Sequence, residues 1–125
     1  MAKWSSDEVM KQGLNYVKTT AATMIACASQ ATTYANAVGT AANQYRLADV
    51  AMASTDYAYT TATSGVRLTA TAKAGVTIDV SDAFNHVALV GSGTLIYVTT
   101  GTSEFLTAGG DVDFPAWGIR IADPT

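Results

Sequence analysis

The sequence predicts an α+β domain that is mainly β: one N-terminal helix packed on an antiparallel β-sandwich or barrel. Three observations predict it. A helix start is written into Trp4-Ser5-Ser6-Asp7-Glu8-Val9. From about residue 45 to about 122, short apolar or alternating runs are separated by glycine-containing turns. The 125 residues show no internal repeat and no linker, so residues 1–125 form a single domain.

The helix is expected over about residues 5–18. Ser5 caps it, and Glu8 three residues on completes a capping box. Trp4 before the cap and Val9 in the first full turn have the spacing of a hydrophobic staple. Val9, Met10, Leu14 and Val17 line one face, and Lys11, Gln12, Asn15 and Lys18 the other. Thr19 and Thr20 are β-branched, which places the helix end near Lys18. The run from Thr23 to Ser29 can extend the helix or form a strand buried on both faces, and the strand is favoured. Gln30 to Gln44, rich in Ala, Thr and Asn, reads as a loop with one helical turn around Tyr34 to Ala37.

Arg46 to Ala53 reads as the next strand. Val66 to Lys73 and Val76 to Ser81 alternate strictly, and Ala74-Gly75 between them predicts a hairpin. His86 to Val90 and Thr94 to Thr100 flank Gly91-Ser92-Gly93 and predict a second hairpin. Its strands are apolar on both sides, so both are expected to be central. Gly109-Gly110 marks a turn, and Pro115 must occupy an edge, a bulge or a break. Beyond it, Trp117, Ile119 and Ile121 share one face, and Gly118, Arg120 and Ala122 the other.

Composition narrows the function classes. Ala and Thr make up about a third of the chain, so the core is thin and association with other chains is expected to help. Seven Lys and Arg against ten Asp and Glu give a formal charge of −3, and the basic residues are scattered, which argues against a nucleic-acid surface. No run approaches the ~18 apolar residues of a membrane span. The first residues lack the order of a signal peptide, so a soluble, cytoplasmically made protein is expected.

Reactive groups are few. The single His86 would have to serve any histidine-dependent triad, and a polar residue capping a turn is the plainer reading. The single Cys27 reads as a small core residue. One His and one Cys are too few for a transition-metal site, and Asp79 with Asp82, or Asp111 with Asp113, lack the density of a calcium loop. No motif cradles phosphate, and nothing brings Glu104 together with another carboxylate. Tyr57 and Tyr59 share a strand face that suits either sugar stacking or the cover of a sheet edge. No catalytic residue, metal or cofactor is expected. The candidate interface is Trp4 and Val9 on the stapled helix with Trp117, Ile119 and Ile121 on the last strand.

Four stretches, Trp4 to Val9, Thr32-Thr33-Tyr34-Ala35, the pair His86–Val90 with Thr94–Thr100, and Pro115-Ala116-Trp117 through Pro124, resemble a family of small virion proteins of tailed bacteriophages and prophages. The resemblance spans nearly the whole chain, and none of its motifs is catalytic. It implies a capsid cement or decoration protein that sits on the assembled head and clamps neighbouring major capsid subunits, often as a trimer. A homo-oligomer on the capsid surface, made in the host cytoplasm and without direct nucleic-acid or membrane contact, follows from it. A tail, collar or adaptor component is the alternative within the virion. A carbohydrate-binding or adhesion module using Tyr57 and Tyr59 is the alternative outside it.

Overall fold

A computed structural model describes residues 6–61 and 65–121. The chain is mainly β, with α1 (Asp7–Thr20) leading into β1 (Thr23–Cys27), a short α2 (Tyr34–Val38) and β2 (Arg46–Ala51). A 3-10 turn at Ser54–Asp56 precedes β3 (Tyr57–Thr61), β4 (Val66–Ala70), β5 (Lys73–Thr77), β6 (Asp82–Gly91), β7 (Thr94–Leu106), β8 (Asp111–Phe114) and β9 (Trp117–Ile121). All strand pairs are antiparallel, in three sheets ordered β2-β1-β6-β7, β3-β4-β9 and β5-β8. The described strands do not close into a barrel, and the arrangement is sandwich-like.

The helix starts one residue later than its capping box predicts. Ser6 is the cap, its Oγ accepting the Val9 N–H at 3.3 Å, while Glu8 turns away to pair with Lys11. Ser5 and the Trp4 half of the staple lie outside the described residues. At the other end the helix continues through Thr19 and Thr20, with the Thr19 hydroxyl donating back to the Asn15 carbonyl at 2.8 Å. Met10, Leu14 and Val17 are its buried face, and Val9 is 66% exposed. Buried Ala21 follows the helix, and the Tyr57 hydroxyl donates to its carbonyl at 3.0 Å. Lys18 reaches the carbonyls of Ser54 and Tyr57, so the helix is tied to the start of β3 at two points.

The four-stranded sheet is covered on both faces, which explains why β1 after Thr23 and the second half of β6 are apolar at every position. Met24, Ala26, Val87 and Leu89 face the main core beneath α1 and the other sheets. Ile25, Cys27, Ala88 and Val90 face a second cluster with Ala31 and Ala37, under the α2 segment. Thr33 caps α2 by accepting the Asn36 N–H at 3.1 Å, so the loop predicted around one helical turn is a lid on the sheet's outer face.

Two expectations are corrected. The hairpin predicted across Ala74-Gly75 does not form. Instead, β4 pairs with β9 and β5 with β8, so β4–β5 and β8–β9 are two long strands of one ribbon, broken opposite each other at Thr71-Ala72 and Pro115-Ala116. Ala74-Gly75 is a bulge in that ribbon, where the register slips between Lys73 and Val76. Gly75 has φ +67, and its N–H donates to Asp113 Oδ1 at 2.8 Å, a carboxylate replacing the missing ladder acceptor. Positive φ serves a turn and a bulge equally, so the glycine did not distinguish them.

The second correction concerns β7. The hairpin with β6 is present, turning through Ser92 (φ 51) and Gly93 (φ 70) as a type I′ turn. Of its two strands, only β6 is central; β7 is the edge of the sheet. Leu95, Ile96, Tyr97 and Val98 are all partly buried, so this stretch of β7 is apolar on both faces while the strand's outer rim has no partner among the described residues.

Candidate functional site

The far end of the β6–β7 hairpin opens into a cleft of about 410 Å³ against the β4–β9 and β8 strands. A register change creates it. His86 pairs with Thr100 but Phe84 pairs with Glu104, so β7 carries extra residues between them and splays away. Gly101 sits in the splayed stretch, and the Phe84 ring lies where its side chain would be. Trp117 closes the inner wall. Its indole N–H donates to Met24 Sδ at 3.3 Å, and its ring stacks on Tyr97 with centroids 6.0 Å apart.

The charged lining is mixed. Arg67 comes from β4, Glu104 from β7 and Asp113 from β8. Asp113 is engaged with the Gly75 amide. Arg67 and Glu104 are exposed, and neither makes an ion pair among the described residues.

No family model, no curated protein and no solved structure matches this chain. The geometry therefore has to speak for itself.

Of the chemistry-bearing residues named from the sequence, Glu104 and Asp113 come to line the same cleft, and the others are not brought together. His86 lies inside β6, not at a turn; it pairs across to Cys27 and Thr100, and its Nδ1 meets the Asn85 side chain. Cys27 is fully buried, and burial pushes its thiol up to about 12. Asp79 is bound to Arg46, Asp82 accepts the Ala83 amide and Asp113 the Gly75 amide, so three of the four candidate calcium ligands serve separate local contacts. No group of three or more His, Cys, Asp or Glu able to hold a metal occurs among the described residues.

Tyr57 and Tyr59 are turned inward against α1 and do not form a sugar-stacking surface. Tyr57 is buried, and burial, followed by the neighbouring Asp56 charge, pushes its phenol up to about 12. Tyr59 points its hydroxyl at Asn15 Oδ1, with Lys11 Nζ 5.7 Å above its ring. Asp56 is itself held below its usual range, first by the Ala53 amide and then by Lys73 at 3.0 Å.

The candidate interface residues separate into two groups. Val9 stands exposed on α1, as does Tyr16 two turns on. Trp117, Ile119 and Ile121 pack against the main core, and Ile121 lies beneath Gly13 of the helix. What β9 leaves open is its outer rim and the margin of the cleft. Arg67 and Gly101 were missed in the sequence, and Glu104 was named there without partners, because long-range pairing alone assembles them; the one local signal was Gly101 interrupting a strand.

Proposed function

We propose that this chain is a non-enzymatic structural protein of a tailed-phage virion, a cement or decoration protein that binds the outside of the head and stabilises neighbouring major capsid subunits. The observation that carries the reading is β7. Its Leu95–Val98 stretch is apolar on both faces and its rim is unpaired among the described residues, and that is the kind of edge a soluble monomer normally blunts with charge or proline. Glu104 is its one charged residue and it contains no proline. An edge left in that state suits a protein completed by its neighbours.

Two further features support the reading. His86, Cys27, Asp79, Asp82 and Asp113 are each engaged in local structure, and the resemblance to small virion proteins covers nearly the full chain. Repetition over a capsid lattice converts weak single contacts into firm attachment, which suits a small core rich in Ala and Thr. The test is a pelleting assay with purified protein and expanded heads. Saturable binding that raises the melting temperature of the heads supports the proposal. Labelling confined to one vertex moves the protein to the neck or tail instead.

A further inference from the structure

Six basic side chains lie within the described residues, and four are already occupied. Lys11 pairs with Glu8, Lys73 with Asp56, Arg46 with Asp49 and Asp79, and Lys18 donates to two carbonyls. The other two, Arg67 and Arg120, have no acceptor among the described residues and stand directly opposite each other on β4 and β9. Like charges in that register weaken a sheet, so their placement calls for a source of negative charge.

Gly118 directs Arg67. A methyl group at that position would overlap the Arg67 side chain, which lies across β9 there. The guanidinium is thereby held at the cleft, where Glu104 on β7 is the unpaired acid. The two charges line one cleft without pairing with each other.

We propose that the mouth of this cleft is the contact of a two-fold homodimer, in which Arg67 of each copy meets Glu104 of the other. A patch with a cation on one side and an acid on the other is self-complementary under a two-fold rotation. A ring or filament would need its complementary groups on two separate patches, whereas here both belong to one. Arg120 beside Arg67 strengthens the positive side, and exposed Pro115 at the margin supplies apolar contact. Each copy carries −3, so the copies repel at long range and associate only where an arginine and a carboxylate without partners among the described residues can reach each other. The same acidity disfavours a polyanion as the occupant of two isolated arginines.

Sedimentation equilibrium at low salt tests this. The wild type is expected to sediment as a monomer–dimer equilibrium that shifts to monomer at high salt. Arg67→Glu and Glu104→Arg each turn two attractive contacts into repulsive ones and should weaken association about tenfold or more. The double variant R67E/E104R restores the dimer, and so does an equimolar mixture of the two single variants, because both contacts become complementary again. Both residues are exposed, and circular dichroism verifies that each variant keeps its fold. A wild type that is monomeric at every concentration, a trimer mass, single variants that dimerise normally, or a double variant that fails to recover would each overturn the proposal. The inference is independent of head binding: a dimer that ignores phage heads retains it and removes the virion reading alone.

Discussion

Cys27 and Tyr57 show what burial does to single groups in this protein. Their ordinary values are 9.0 and 10.0, and both are pushed up to about 12 in the fold. In the unfolded chain the protons leave earlier, so above those ordinary values the unfolded state binds fewer protons than the folded one. Stability from these groups is therefore complete below the ordinary values and is lost as pH rises toward the folded ones. The melting temperature should fall progressively above about pH 9, and Cys27→Ala should flatten part of that slope. Gly91 is a second single-atom constraint. It is buried against the end of α1, and a methyl group there would overlap the Thr20 carbonyl oxygen, which is backbone and cannot rotate aside. Gly91→Ala should cost about 2–3 kcal/mol in urea denaturation.

At the scale of elements, the β6–β7 turn can be improved. Ser92 holds φ 51, which a serine adopts less readily than asparagine or glycine. Ser92→Asn should add about 0.5–1 kcal/mol, read as a higher urea midpoint at unchanged slope. This turn was legible in the sequence because its determinants, a glycine in a two-residue loop between apolar runs, are local. The same holds for α1, for β1 and for the helical turn around Tyr34 to Ala37. Local signals failed where one conformation serves two purposes. Gly75 supports a bulge as well as a turn, and an apolar strand such as β7 reads as central whether a partner strand or only open rim lies beyond it. The β4–β9 pairing joins segments about fifty residues apart, so nothing near Arg67 announces Arg120, Glu104 or Trp117. The cleft was invisible in the sequence for that reason, while the buried Cys27 followed directly from residue type.

For the whole molecule, the inward faces are well used and the rims are not. Trp117, Ile119 and Ile121, read from the sequence as a candidate interface, are partly buried against the core, and the cleft margin and the β7 rim are the surfaces we propose for other chains. On the proposed reading, the net charge of −3 limits association of free copies to the cleft contact, and a repeating acceptor lattice would supply many weak sites at once. The most direct test of this account is the number of copies per particle, measured by quantitative gel densitometry of purified virions against the major capsid protein. The account predicts a copy number comparable with that of the capsid subunits, spread over the head. A copy number matching a single ring at one vertex, or no copies in the particle, would contradict it.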